Sequence, residues 1–276
     1  MSKHTAIRRS TLVSSIAMLL VAVMALSGAT YAWFSSGNTA DAQGIALTAT
    51  TASGLYIVND STHTSSSTYT APETGWVNSI DFDADADTAN TSFNPVSTSW
   101  QTFKPTFYTA KSVSDTGVHD GTITQVNQSA NNYLVYRFFV KGDAQNQNLN
   151  CTVNLTARKD ANGDPLGNGL KGYERVALVN ATDAPTDLTL GTNAWIFATG
   201  KESGYSYDGL SGTSGSTVSI APLAANTSFV IDSDYDGEAT CFYLYVWFEG
   251  QDETCKNANA AASFNVSVDF SVTANA

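Results

Sequence analysis

The chain has 276 residues, a formal net charge of −12 and 14% charged residues. This length is enough for one large domain with a substantial core, or for two small ones. Nucleic acid and anionic lipid are poor partners for such an acidic chain, because they carry the same sign of charge. A composition rich in Thr, Ser, Asn, Ala and Gly favours a β-rich extracellular protein over a helical enzyme.

Residues 1–32 have the layout of a secretory signal peptide. Three residues make the start basic: Lys3, Arg8 and Arg9. An uncharged, mostly apolar run of about 15 residues then covers 12–26, which is shorter than the roughly 20 residues of a spanning helix and favours cleavage over a membrane anchor. Thr30 and Ala32 stand at positions −3 and −1 of a cut that leaves Trp33 as the new N-terminus.

The leader ends in the run GATYAWF, which resembles the leaders processed by SipW-type signal peptidases of Gram-positive bacteria. Residues 42–49 and 246–252 are similar to the first strand and to a Trp-x-Glu-Gly-x-Asp turn of the TasA/camelysin family. The resemblance implies a secreted jelly-roll protein of the biofilm matrix or cell surface, with a SipW-type peptidase as its partner during export. It covers the leader, the first strand and the last hairpin, and leaves the middle of the chain unaligned.

After the leader, short apolar runs and apolar–polar alternation predict many β-strands. They are predicted over 45–49, 55–58, 102–108, 133–140, 149–157, 175–179, 194–198, 217–220, 229–231, 241–248 and 264–272. The four clearest strands are each expected to have one apolar, inward face, formed by Leu134, Tyr136, Phe138 and Val140; by Leu149, Cys151, Val153, Leu155 and Ala157; by Phe242, Leu244, Val246 and Phe248; and by Phe264, Val266, Val268, Phe270 and Val272. The first two are either separate strands or one long strand bent at Ser53-Gly54. Since no segment has a helical period, we expect an all-β, jelly-roll-like β-sandwich over 44–276, with polar loop insertions around 59–99, preceded by a signal peptide helix.

Residues 33–43 form an N-terminal arm in this interpretation. Four apolar residues in and behind the arm are expected to drive assembly: Trp33, Phe34, Ile45 and Leu47. Added as a strand to a neighbour's sheet, the arm would give a head-to-tail contact that does not close and therefore grows into a filament. The family resemblance implies fibre formation of this kind. The alternative is that 33–43 are disordered and that strand 45–49 pairs within its own domain.

Enzyme chemistry has little support in the sequence. His63 and His119 both lie in polar, loop-like sequence, and neither an HExxH nor a Gly-x-Ser-x-Gly motif is present. We therefore predict a protein that is not an enzyme. The rival function is a surface adhesin or carbohydrate-binding module whose exposed aromatic residues stack on sugars. Its candidate residues, which would otherwise belong to the core, are Trp76, Trp100, Tyr205 and Tyr207.

Calcium is the one cofactor that the sequence suggests. Asp232, Asp234 and Asp236 precede Gly237 in a DxDxDG pattern, which in calcium loops converges carboxylates on one cation. The position of the closing Glu is Tyr243, inside a predicted strand, so the alternative is an ordinary hairpin turn. A second acidic run forms either a weaker candidate or a solvated loop, and consists of Asp81, Asp83, Asp85 and Asp87.

The three cysteines are too few for a disulfide framework. Cys241 and Cys255 flank the last predicted turn and are candidates for one disulfide, which leaves Cys151 unpaired. The alternative is that all three are reduced thiols.

Overall fold

The structure is a computed structural model. The chain forms two compact units, Met1–Asn38 and Thr39–Ala276. It describes only residues of the second unit. They are 40–49, 54–64, 69–82, 91–99, 105–109, 112–113, 119–120, 125–127, 132–143, 145, 147–157, 162–164, 170, 172–181, 193–199, 205–206, 219–220, 223–250 and 263–274. The predicted signal peptide therefore lies outside the described residues.

The described residues are almost entirely β-structure, which confirms the predicted all-β class. The strands are β1 (Ala40–Ala49), β2 (Leu55–Asn59), β3 (Ser79–Asp81), β4 (Thr91–Phe93), β5 (Val96–Ser99), β6 (Thr106–Thr109), β7 (Ser112–Val113), β8 (His119–Asp120), β9 (Gln125–Val126), β10 (Leu134–Gly142), β11 (Gln147–Ala157), β12 (Glu174–Asn180), β13 (Ala194–Ala198), β14 (Tyr205–Ser206), β15 (Ser219–Ile220), β16 (Leu223–Ala224), β17 (Ser228–Tyr235), β18 (Thr240–Phe248) and β19 (Ser263–Ala274). A short 3₁₀ helix covers Ser61–His63.

Two six-stranded sheets form the body of the protein. The first sheet has the order β17-β11-β19-β1-β3, with β4 also paired to β1, and the second has the order β16-β13-β12-β18-β10-β2. Three strands, β5-β6-β9, form a smaller sheet that we call the cover sheet. The remaining pairs are β7 with β8 and β14 with β15.

The main core lies between the first and second sheets. Alternate residues of β10, β11 and β19 are buried there, as their period-two patterns predict, because successive side chains of a strand point to opposite faces. The two sheets meet through aromatic pairs: the ring centroids of Phe138 and Phe270 are 5.8 Å apart, and those of Phe248 and Phe264 are 5.3 Å apart. Burying each such side chain stabilises the fold by about 1.5–3 kcal/mol.

A second core covers the opposite face of the second sheet. All residues of β18 are buried, because the cover sheet and neighbouring residues pack on the face that points away from the main core. Phe107 of β6 stacks on Tyr133 with a centroid distance of 3.7 Å and meets the edge of Trp247 at 5.7 Å. The second sheet is thus buried on both faces, which explains why β12 and β18 lack apolar–polar alternation.

Several predicted boundaries differ from the observed ones. The first two predicted strands are separate: β1 and β2 belong to different sheets, and Gly54 precedes β2 with a positive φ of 66°. Of the strand predicted over 102–108, residues 102–104 lie outside the described residues, Pro105 is not in a strand, and β6 covers Thr106–Thr109. The interval 59–99, predicted as polar loops, contains β3, β4 and β5, since short strands with few apolar residues give no clear period.

Candidate functional site

The position of β1 in the first sheet is the clearest structural feature that bears on assembly. β1 runs parallel to β19, with a register that places Ile45 beside Val266 and Leu47 beside Val268. On its other side, β1 pairs antiparallel with β3 and β4. The predicted assembly strand therefore lies inside the sheet of its own domain.

This pairing agrees with the alternative in which strand 45–49 pairs within its own domain. Ala40–Gln43, the last residues of the predicted arm, are part of β1 and are not disordered. The other predicted residues of the cleavage and assembly sites lie outside the described residues. These are Thr30, Ala32, Trp33 and Phe34.

The two sides of β1 are unequal. β19 is 12 residues long, pairs with β1 on one edge and pairs with β11 over Gln147–Ala157 on the other. β3 and β4 have three residues each. β19 pairs with seven residues of β1 as one continuous strand, whereas β3 and β4 together pair with six. Because each backbone hydrogen bond contributes about 0.5–1.5 kcal/mol net, both sides contribute to holding β1 in the sheet. Without β1, the edge of β19 would be an open slot for a parallel strand.

A buried ion pair joins the second sheet to the 3₁₀ helix. Arg137 of β10 is 1% exposed, and its Nε lies 3.2 Å from Oδ2 of Asp60, whose side chain is 10% exposed. The Nδ1 atom of His63 lies 2.5 Å from Oδ1 of the same carboxylate, and the guanidinium donates from Nη1 to the His63 carbonyl at 2.9 Å. A buried carboxylate thus connects a buried guanidinium to an imidazole that is 65% exposed.

Aromatic rings surround this guanidinium. The Arg137 Cζ lies 5.5 Å from the ring centroid of Tyr69, 5.4 Å from that of Phe139 and 5.9 Å from that of Tyr243. Desolvation by burial raises the pKa of Tyr243 to about 12, although the nearby guanidinium lowers it. The contacts anchor the turn after β2 onto the outer face of β10, and sequence reasoning missed them. The sequence feature that could have indicated these contacts is a single arginine, Arg137, inside the apolar run of β10.

The acidic pattern of the calcium prediction does not form a converging ligand set in the structure. Asp232 and Asp234 lie on β17, and Asp236 follows it. The Asp232 Oδ1 accepts a hydrogen bond from the Asp234 backbone N–H at 3.0 Å, and the Asp236 Oδ1 accepts one from the Glu238 N–H at 2.9 Å. These are local turn contacts, which agree with the hairpin alternative.

No group of three or more His, Cys, Asp or Glu residues is arranged to hold a metal ion within the part of the chain that the structure describes. In the second acidic run, Asp81 is in β3, while Asp83, Asp85 and Asp87 lie outside that part. His119 is in β8, a strand separate from the 3₁₀ helix that ends at His63.

The Trp-x-Glu-Gly turn fastens β5 to the end of the second sheet. The indole Nε1 of Trp247 donates to Oε2 of Glu249 at 3.2 Å, and both residues are fully buried. The backbone N–H groups of Glu249 and Gly250 donate to the carbonyls of Tyr173 and Val96, at 2.9 Å each. This part of the family resemblance therefore marks a structural connection between the second sheet and the cover sheet.

The structure describes two of the three cysteines. Cys151 of β11 and Cys241 of β18 are buried, in the main core and the second core respectively. Burial raises the pKa of the Cys151 thiol well above its usual range. Cys255 lies outside the described residues, so its pairing with Cys241 stays a prediction.

The predicted aromatic platform for sugars is not assembled by the described residues. Trp76 is half-buried against the second core, its Nε1 donates to the Pro72 carbonyl at 3.0 Å, and its ring lies 4.2 Å from the Lys141 Nζ. The backbone of Tyr205 is in β14, whereas Trp100 and Tyr207 lie outside the described residues. Trp76 thus contributes to packing.

Comparisons with known proteins add no family or relative. No protein-family model matches the chain, and neither the curated proteins nor the solved structures contain a match. Among the described residues, no helix is long and apolar enough to cross a membrane. The similarity to the TasA/camelysin family therefore stays a prediction from the residues quoted above.

Proposed function

We propose that this protein is a secreted structural subunit of a fibre in the extracellular matrix or on the surface of a Gram-positive bacterium, and that it is not an enzyme. The subunit is a jelly-roll-like sandwich that carries residues 1–32 as a signal peptide for a SipW-type peptidase. It assembles when β1 of one copy replaces β1 of the next. The observation that carries the proposal is the placement of β1 between β19 and the short strands β3 and β4.

Strand exchange is favoured because β1 is close to the N-terminal end of the domain. A terminal strand can leave its own sheet and enter that of another copy, where it makes the same backbone hydrogen bonds in the same register. The exchange then costs little pairing energy. Cleavage after Ala32 would act as the switch, since it releases the segment before β1 from the membrane.

The far edge of the first sheet is less suited to growth. β17 pairs with β11 through an irregular register, with shifts between Gln147 and Leu149 and between Leu149 and Asn150. Asp232 and Asp234 also place two carboxylates along this strand. Bulges and charges are devices by which edge strands resist pairing with another chain. The β1 slot is therefore the favoured route of assembly.

Disulfide trapping between singly substituted chains tests this exchange. Ala46 of β1 is registered beside Ser267 of β19, so A46C and S267C chains are mixed under assembling conditions and oxidised. The expected result is a disulfide-linked heterodimer on a non-reducing gel, because exchange places β1 of one copy beside β19 of the other. A46C mixed with S228C is the matched control, since Ser228 is on β17 and not beside β1.

Two results would overturn the proposal. One is filaments in negative-stain micrographs without any A46C–S267C product, which would mean that assembly does not use the slot. The other is a protein, begun at Trp33, that stays monomeric at every concentration and pH tested. Sequencing the N-terminus of the secreted protein tests the leader separately: Trp33 is the expected first residue, and an intact Met1 would contradict cleavage.

A further inference from the structure

β1 is interrupted on both of its edges at the same place. On the β19 side, the register shifts between Ala42 and Ile45. Two residues of β1, Gln43 and Gly44, lie there opposite one residue of β19, Asn265. An extra residue of this kind is a β-bulge, which is rare between parallel strands, and a glycine inside a strand often marks one. The bulge leaves the extra residue outside the ladder of backbone hydrogen bonds.

The other edge of β1 is interrupted at the same residues, because its partner strand changes there. β4 pairs with residues 40–42 and β3 pairs with residues 46–48. Within the part of the chain that the structure describes, neither strand pairs with Gln43 or Gly44. We call residues 40–42 the front segment of β1 and residues 45–49 the back segment. The ladder between the two segments is therefore broken on both sides of the strand.

The front segment has fewer partners than the back segment. Two of its residues pair with β19 and three with β4, whereas five residues of the back segment pair with β19 and three with β3. In the described sheets, β4 pairs only with β1. Local opening of a protein follows segments that have few contacts and are not part of a continuous cooperative unit. The break therefore allows the front segment to open while the back segment stays in the sheet.

The front segment is also the part of β1 closest to the N-terminal arm. In the proposed exchange, cleavage frees this end, so β1 leaves its sheet from here. Opening of the front segment exposes the backbone groups of Ser263 and Phe264 on β19 and those of β4, which together we call the entry site. A second copy carries the same front segment, which pairs with the entry site in the same parallel register. Its back segment then displaces the resident one pair by pair.

We propose that two copies of this chain make their first contact at the entry site, where the front segment of one copy replaces that of the other before the back segment follows. This inference rests on the proposed strand exchange and identifies its first step. A strand that is broken at Gln43 and Gly44 exchanges in two stages. The backbone pairs of β1 with its three partner strands then never have to open all at once.

Hydrogen exchange tests the break without any assembly. It is followed at single residues by NMR on monomeric protein begun at Trp33. We expect the amides of the front segment to exchange at least about tenfold faster than those of the back segment. Deletion of Gly44 leaves one residue opposite Asn265 and keeps every other register pair of β1, so it closes the ladder and should remove most of this difference. Q43A keeps both residues of the bulge and is the matched control, which should exchange as the unmodified chain does.

The rate of disulfide trapping tests the entry site itself. A46C and S267C chains are mixed, and the linked product is measured over time in the unmodified, Q43A and Gly44-deleted backgrounds. Deletion of Gly44 should slow the product about tenfold, the effect of one or two additional backbone hydrogen bonds. Its urea unfolding should stay cooperative, with a midpoint no lower than that of the unmodified chain, and Q43A should leave the rate unchanged. Deletion of Gln43 closes the same break and is the second variant if the first does not fold.

The outcomes separate this inference from the proposed function. Absence of the A46C–S267C product in the unmodified background overturns the strand exchange and the entry site with it. Product that forms as fast after deletion of Gly44 overturns the entry site alone. The inference is also wrong if the two segments of the unmodified chain exchange hydrogen at the same rate. It is equally wrong if the deletion leaves their difference in place, since faster exchange then reflects only fraying near a chain end.

Discussion

Removal of the Asp60 carboxylate should destabilise the fold far more than its place in a polar loop suggests. The Asp60 Oδ2 and the Arg137 Nε are 3.2 Å apart, and the side chains are 10% and 1% exposed. At an effective dielectric constant of about 20, unit charges at this distance attract by about 5 kcal/mol. Breaking such a buried pair costs about 3–5 kcal/mol, because the remaining charge stays buried.

For D60N we expect the lower end of that range, about 3 kcal/mol. The His63 carbonyl and the rings of Tyr69, Phe139 and Tyr243 still contact the guanidinium and offset part of the loss. Urea unfolding followed by tryptophan fluorescence measures the change. A loss of this size also lowers the melting temperature by about 6–12 °C for a domain of this size.

Two further variants test whether the buried Asp60–Arg137 pair causes this loss. H63A should cost less than about 1 kcal/mol, because the imidazole is 65% exposed and solvent screens its interaction. The double variant D60A/R137M should be more stable than D60A alone, since it removes the buried charge together with its partner. A loss below about 1 kcal/mol for D60N, or a double variant less stable than D60A, would show that the buried pair does not have this role.

Three other predictions concern the core and the first sheet. F138A should cost about 3–5 kcal/mol in urea unfolding, because Phe138 is fully buried against Phe242 and Phe270; a loss below about 1 kcal/mol would contradict the described core. G142A should cost about 1–3 kcal/mol, because the added Cβ would lie 3.0 Å from a buried Leu55 methyl carbon, and an unchanged urea midpoint would show that this contact relaxes freely. Desolvation raises the pKa of Asp269 in the folded state above its ordinary value of 3.8, although the Asn154 hydrogen bond lowers it. The folded state therefore binds this proton more tightly than the unfolded state, and the Asp269 contribution to stability is lost as the pH rises through the raised pKa. D269N removes this loss. The urea midpoint of D269N minus that of the unmodified chain should therefore increase from pH 3 towards neutrality, and a flat or falling difference would contradict the raised pKa of Asp269.

The sequence was most informative where a strand has one buried face. In β11 and β19, apolar and polar residues alternate, and the predicted inward residues are those of the main core. The same holds for the face of β10 that contains Phe138 and Val140. Alternation reports the burial of individual faces because it depends only on the local geometry of an extended strand.

The sequence was less informative where burial depends on distant segments. The pattern of β18 predicted one inward face, yet both faces are buried, because β5 and β6 cover the second. The Asp60–Arg137 pair joins a polar loop to an apolar strand far along the chain, and nothing local to either residue predicts the other. The DxDxDG pattern is local, but it did not predict how its three aspartates are arranged. β17 and the turn after it place them in hydrogen bonds between residues two apart, not in a converging set.

The sequence by itself determined the β class, the inward faces of β10, β11 and β19, and the acidic character of the surface. Only the tertiary structure decided that β1 lies parallel to β19 inside the first sheet, that a cover sheet buries the second sheet on both faces, and that Arg137 meets Asp60. The physical reason is the range of the interactions. Side-chain alternation is set within a few residues, whereas strand order and charge pairing depend on which distant segments together bury the most apolar surface.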